Sequence, residues 1–274
     1  MQDCLQDLSP ANLCSAIESN IFPFFQSFHQ WRRAEVHDEA AMLWTISDVP
    51  SALLNCVMRA RISADQVDFT IQAVIEQARR RGAPLLWLVG PASRPVDLGK
   101  HLERHGFICE PSAGMAIDLA QLKKDLPMPG GLTCQRVTGT ATLKVWGQVY
   151  GAAYGVEDFA VEALCDLMTC IGLDKMRGYL GWLNGKAVAI SSLFLGAGVA
   201  GIYFVATLPE SRRQGIGAQM TALPLSEARA EGYQAGVLQA SEMGEPVYRS
   251  LGFKEYCQYD FYDWSPENQR ISTE

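Results

Sequence analysis

Between Ala187 and Pro209 the chain runs 23 residues without a charged side chain. A run of that length can cross a bilayer as a helix, or fill two strands that are buried on both faces. Ser191, Ser192, Gly196, Gly198 and Gly201 interrupt it, among β-branched and aromatic residues. Such interruptions predict two buried strands meeting at a turn over Leu195-Gly196-Ala197-Gly198. A chain with this segment needs a broad sheet with both faces covered.

The rest of the composition agrees with a packed core. Of 274 residues, 48% are hydrophobic and 19% charged, which excludes a disordered chain and leaves room for one or two domains. Lys and Arg number 23 against 30 Asp and Glu, a net charge of −7. That balance argues against a phosphate-backbone surface, so no nucleic-acid partner is expected. Asp3, Asp7 and Glu18 stand in a first stretch without basic residues, the opposite of a signal peptide. A cytoplasmic protein without membrane attachment is expected. The eight cysteines form no Cys-x-x-Cys pair, and His29, His37, His101 and His105 all lie in the first half. No metal site is expected, and reduced cysteines should serve as small core residues.

Periodicity orders the elements. Ser9-Pro10 opens a helix carrying Leu13, Ile17 and Ile21, followed by an aromatic group, Phe22, Phe24, Phe25, Phe28 and Trp31, read as core. Strands are expected at 42–47 and 53–62. Val67, Ile71, Val74, Ile75 and Ala78 mark a helix face, closed by Arg79-Arg80-Arg81-Gly82. A strand at 85–89, a helix at 95–105 and a strand at 114–119 follow. Lys123 to Gly131, with two prolines and two glycines, reads as a linker. It divides the chain into domains 1–126 and 131–264, with a tail at 265–274. The second part reads as a strand at 132–137, helices near 141–153 and 158–171, and strands at 177–183 and 186–195 around Asn184-Gly185. A strand at 199–207, a helix at 215–231, a strand at 237–240, a helix at 246–251 and a strand at 254–264 complete it. Pro224 inside the long helix predicts a kink or early break near 220–224.

The chemistry concentrates in Val205-Ala206-Thr207-Leu208-Pro209-Glu210-Ser211-Arg212-Arg213-Gln214-Gly215-Ile216-Gly217-Ala218. A strand enters a loop with two glycines that opens a helix. Glycine lets backbone N–H groups approach a phosphate, the helix N-terminus adds partial positive charge, and two arginines add more. The Gly-Lys-Ser/Thr of an ATP-binding loop is missing.

Arg212-x-x-Gly215-x-Gly217 resembles the Q/R-x-x-G-x-G/A acyl-CoA signature of the GNAT acetyltransferase superfamily. Tyr248-Arg249-Ser250-Leu251-Gly252-Phe253 resembles that family's Tyr-x-x-x-Gly-Phe segment, and the resemblance covers about 131–264. It implies an α+β fold of two GNAT-like domains, each a mixed, mostly antiparallel twisted sheet flanked by helices. It implies acetyl-CoA as the acyl donor, with the pyrophosphate on Arg212 and on the N–H groups of Arg213, Gln214, Gly215, Ile216, Gly217 and Ala218. Pantetheine would follow Val205, Ala206 and Thr207, with Ser241 where many members carry Asn. Tyr248 would stand near the thioester sulfur as the catalytic residue. Its phenol stays protonated at neutral pH and can donate to the departing sulfur.

The first part reads as a worn copy. Leu102 to Phe107 parallels Tyr248 to Phe253, and Gly82 parallels Gly232. Gly82 to Phe107 spans 25 positions and Gly232 to Phe253 spans 21, which places an insertion within 90–95. Leu102 replaces Tyr248, Val67 falls at the place of Gly217, and Asp65 would face a phosphate with the wrong sign. This domain is expected to have lost CoA binding.

The resulting expectation is an N-acetyltransferase acting on a primary amine of a small molecule or peptide, by direct attack in a ternary complex. No glutamate lies on 199–207, where many GNAT enzymes carry one, so Glu157, Asp158, Glu242 and Glu245 stand as candidate bases. Tyr154, Tyr203 and Phe159 are candidates for an aromatic wall. A non-catalytic acyl-CoA sensor and a structural interaction protein are the alternatives, and a homodimer is left open.

Overall fold

A computed structural model describes residues 4–123 and 126–266. Helices α1 (Pro10–Ser19) and α2 (Phe22–Gln26) precede strands β1 (Ala34–Asp38), β2 (Leu43–Ser47) and β3 (Cys56–Met58). Helix α3 (Val67–Arg81), strand β4 (Leu85–Val89), helix α4 (Leu98–Arg104) and strands β5 (Ile108–Glu110) and β6 (Ala113–Asp118) follow. Then come β7 (Leu132–Arg136), α5 (Thr140–Tyr154), α6 (Asp158–Ile171), β8 (Met176–Leu183), β9 (Lys186–Gly196) and β10 (Val199–Thr207). Helix α7 (Ile216–Ala230), strand β11 (Ala235–Ala240), helix α8 (Glu245–Leu251) and strands β12 (Lys254–Gln258) and β13 (Asp260–Trp264) close the chain. The expected tail at 265–274 falls outside the described residues beyond Pro266.

The chain divides into two compact units, but not at the Lys123–Gly131 linker. One unit holds residues 1–24 and 114–256, the other 25–113 and 257–274. Strand pairing is the physical reason. The six-stranded sheet runs β1-β2-β3-β4-β13-β5, so the last strand of the chain lies inside the sheet of the first half. The seven-stranded sheet runs β12-β6-β11-β10-β9-β8-β7, so β6 lies inside the sheet of the second half. The stretch expected as one strand over 254–264 therefore breaks into two, each in a different sheet. Tyr259, 2% exposed, sits at the break, and its N–H donates to the Ser112 carbonyl at 2.9 Å.

In the smaller unit α3 buries Val67, Ile71, Val74, Ile75 and Ala78, the face the spacing predicts, and Gly82 closes it at φ 61°. Strands β3 and β4 pair in parallel around α3. Strand β13 contributes Tyr262 and Trp264 to the core beside Trp87 and Phe107. The strand expected over 53–62 shortens to β3, because Ala52–Leu54 coils as a 3-10 turn. Strand β1 has no counterpart among the sequence expectations. Its burial is only partial, so its alternation is faint.

In the larger unit the uncharged segment forms β9 and β10, strands inside the seven-stranded sheet. Their turn uses Ala197 at φ 50° and Gly198 at φ 72°. Asn184 and Gly185 are both left-handed, at φ 51° and 82°, as a two-residue hairpin requires. No helix among the described residues is long and apolar enough to cross a membrane. Helix α1 caps this sheet through Asn20. Its amide donates to the carbonyls of Gly196 (2.8 Å) and Val199 (3.2 Å), and Tyr203 Oη donates to its oxygen at 2.7 Å.

Helix α7 continues from Ile216 to Ala230 through Pro224, so the early break expected at 220–224 does not occur. Pro224 is buried with Met220, Leu225 and Ala228. Packing along that face offsets the lost hydrogen bond.

Candidate active site

The site begins where two strands part. Strands β10 and β11 pair in parallel only at Ala200–Gly236 and Gly201–Val237, leaving β10 without that neighbour over its remaining length. The ladder from β10 to β9 then shifts register between Tyr203 and Ala206. Phe204 lies inside that bulge at φ 53°, a strained conformation for a bulky residue. Its ring meets Trp146 at 5.4 Å and Tyr150 at 5.6 Å, both edge-on. Helix α5 thus holds the bulge in place, and Val205, Ala206 and Thr207 follow it into a cavity.

The loop after β10 is the one expected to hold a phosphate. Arg212 Nε donates to the Thr207 carbonyl at 3.0 Å, which folds the loop back on the strand end. Arg213 (φ 62°) and Gly215 (φ 81°) turn the chain through left-handed conformations into α7. At Gly217 neither the backbone nor the packing demands glycine. It lies in helix, and a Cβ there would meet nothing within 4 Å. Glycine at 217 keeps open a space that the protein itself does not use.

Helix α8 supplies the third side. Gly244 N–H donates to Ser241 Oγ at 3.3 Å and begins the turn that carries Tyr248. Tyr248 is 9% exposed and packs edge-on against Phe253 at 5.9 Å. Burial raises its phenol well above the ordinary value, and a phenolate on Tyr154 would raise it further. Tyr154, at the end of α5, donates its hydroxyl to the Val205 carbonyl at 3.2 Å.

These elements enclose a cavity of about 460 Å³. Tyr248, Val205, Ala206, Thr207, Arg212, Arg213, Gly215, Ile216, Gly217, Ala218 and Ser241 all line it; Gln214 does not. Met243, Gly244 and Val247 also line it, and the sequence reading had missed them. Tyr154 lines it as the aromatic wall anticipated, whereas Tyr203 is committed to Asn20 and Phe159 stands outside. None of the four candidate bases reaches this lining. Glu245 pairs with Arg249 at 2.6 Å, and Asp158 faces a separate groove between α5 and α6. The charged side chains of the lining are Arg212 and Arg213.

The corresponding region of the first half is built differently. Leu102, at the place of Tyr248, is a fully buried core residue. Asp68, in the first turn of α3, contacts His101 Nδ1 at 2.9 Å and His105 Nε2 at 3.1 Å. Those contacts hold its carboxyl below the usual range. Asp68 thus puts an anionic side chain in the first turn of α3, whereas the first turn of α7 has none. The stretch between β4 and α4 covers 90–97, longer than the 241–244 stretch between β11 and α8.

A strand splayed at a bulge, a glycine turn into a helix and a tyrosine on the next short helix meet at one cavity of a mixed α+β fold. Residues 196–256, which hold all of the cavity lining except Ala153 and Tyr154, match the family model described as an acetyltransferase (GNAT) domain. The whole chain is similar in fold to a GCN5-related N-acetyltransferase from Kribbella flavida, at 17% identity and TM-score 0.67 over 90% of this chain and 96% of that one. It is similar to a GCN5-related N-acetyltransferase from Sphaerobacter thermophilus, at 14% and 0.61 over 93% of each chain. It is also similar to a tandem GNAT protein from the clavulanic acid biosynthesis pathway, at 12% and 0.58 over 96% of this chain and 97% of that one. No curated protein matches the chain by sequence.

Proposed function

We propose that the protein is an acetyl-CoA-dependent N-acetyltransferase that passes the acetyl group directly to a primary amine of a small molecule or peptide, with both substrates bound together. The observation that carries this reading is one cavity combining a phosphate cradle, an unpaired strand edge and a buried phenol. The second half is the catalytic one, the first a degenerate copy. The eight cysteines, with no Cys-x-x-Cys pair among them, suit a reducing, cytoplasmic setting.

The residues fit coenzyme A. The open space at Gly217, the helix N-terminus and the two arginines suit its pyrophosphate. The edge of β10 beyond Gly201 suits an extended arm bearing amides, which adds to a sheet as a strand does. Bound there, the thioester supplies an activated acetyl group. Backbone N–H groups of Val205 to Thr207 would polarise its carbonyl. Tyr248 stays protonated across neutral pH. Full transfer of its proton to a thiolate of pKa about 8.5 would run uphill, so its role is hydrogen-bond donation to the departing sulfur. The amine must arrive neutral, which costs a lysine-like group about 4.6 kcal/mol at pH 7.

Release of free thiol from acetyl-CoA with an amine panel tests the reading. Turnover with at least one amine is expected, together with weak CoA binding by the Arg212→Ala, Gly215→Val variant. Tight CoA binding without turnover of any amine would replace it with the sensor reading, which a lining without carboxylate or imidazole favours.

A further inference from the structure

We infer that Tyr154 caps the Val205 carbonyl and is displaced when the arm of the cosubstrate binds. The inference rests on the acyl-CoA reading of this cavity and adds a moving part to it. Val205 lies on the bulged part of β10, past the last pair with β11. Its carbonyl accepts the Tyr154 hydroxyl instead.

Three observations make that bond exchangeable. At 3.2 Å it is long for an O–H donor, whose usual separation is about 2.7–2.8 Å. Tyr154 is 51% exposed, whereas its neighbour Tyr150, stacked on Trp146 at 5.6 Å, is 8% exposed. Gly155 at φ 69° ends α5 directly after Tyr154, so the ring sits at a helix terminus. An arm whose amide adds to the edge of β10 needs the same carbonyl. The phenol and the arm therefore compete, and the cap weakens binding of any ligand that carries the arm.

Tyr154→Phe keeps the ring and removes the competing donor. Calorimetric titration with coenzyme A and with adenosine 3′,5′-bisphosphate, which fills only the phosphate end, tests the inference. The variant should bind coenzyme A about 3- to 10-fold more tightly, the range one net hydrogen bond allows, and the bisphosphate unchanged. Unchanged or weaker binding of coenzyme A would overturn the cap and make Tyr154 a support for the ligand. Equal tightening of both ligands would overturn it as well, since the effect would not belong to the arm. Failure of the unaltered protein to bind coenzyme A would instead overturn the acyl-CoA reading itself.

Discussion

A Cβ at position 244 would stand 2.9 Å from Cε2 of Tyr248 and 3.4 Å from Oγ of Ser241. Gly244 has φ −82° and ψ −31°, a conformation open to any residue. Glycine is needed there for space: it lets the Tyr248 ring lie against the first turn of its own helix. Gly244→Ala must move the ring to relieve the contact. Small misplacements near the reacting atoms cost more rate than affinity. We expect kcat to fall about tenfold or more, with KM for acetyl-CoA changed less than about threefold. Steady-state kinetics beside a thermal melt measures both, and an unaltered kcat would remove Tyr248 from the reaction.

Tyr248→Phe removes one hydrogen bond to a charge that develops only in the transition state. Such bonds are worth about 1.5–3 kcal/mol, so kcat should fall roughly 10- to 100-fold. The pH dependence has a definite sign. Burial raises the folded-state pKa of Tyr248 above its unfolded value near 10. The stability linked to the neutral phenol is fully present below pH 10 and declines as pH rises beyond it. Denaturant titrations from pH 8 to 11 should show the wild type losing stability relative to Tyr248→Phe only above about pH 10. A difference that already falls between pH 7 and 9 would contradict a buried, neutral phenol.

Gly217 separates what the fold needs from what the ligand needs. Replacing a helical glycine by alanine usually stabilises by about 0.5–1 kcal/mol. Nothing in the protein obstructs the new methyl group. Gly217→Ala should therefore melt at the same temperature or slightly higher, and bind coenzyme A at least tenfold more weakly. Parallel melting and calorimetry would reveal either result. A variant that is more stable and binds normally would place the pyrophosphate elsewhere.

Most of the cavity lining was legible because it is local. Val205 to Ala218 is one strand, one loop and one helix start, and residue types alone report glycine turns and arginines. Tyr154 was named only as one possible wall residue, because 51 positions separate it from Val205 and only the packing of α5 on Phe204 brings them together. The exchange of β6 and β13 left no mark at all. Alternation tells which side of a strand is buried, but not which sheet receives it. The break at Pro224 did not occur for a related reason: a local cost met a buried helix face that sequence alone does not weigh.

That exchange yields the last prediction. A fragment ending at residue 126 would keep β4 and β5 but lose β13, which pairs with both. It would lose Trp264, 1% exposed, and Tyr262, 6% exposed, from the core around Trp87. A fragment beginning at 131 would lose β6, with Met115, Ala116 and Ile117 all buried, and would also lose Asn20. The hydroxyl of Tyr203 and the carbonyls of Gly196 and Val199 would then lose their partner, at about 1–3 kcal/mol for each group left buried. For each fragment these losses reach several kcal/mol, comparable with the 5–15 kcal/mol by which a domain is normally stable, since burying each large side chain contributes about 1.5–3 kcal/mol. Expressed singly, residues 1–126 and 131–274 should be insoluble or lack cooperative unfolding. A soluble 131–274 fragment that binds coenzyme A and unfolds cooperatively would show that β6 and α1 are dispensable to the site.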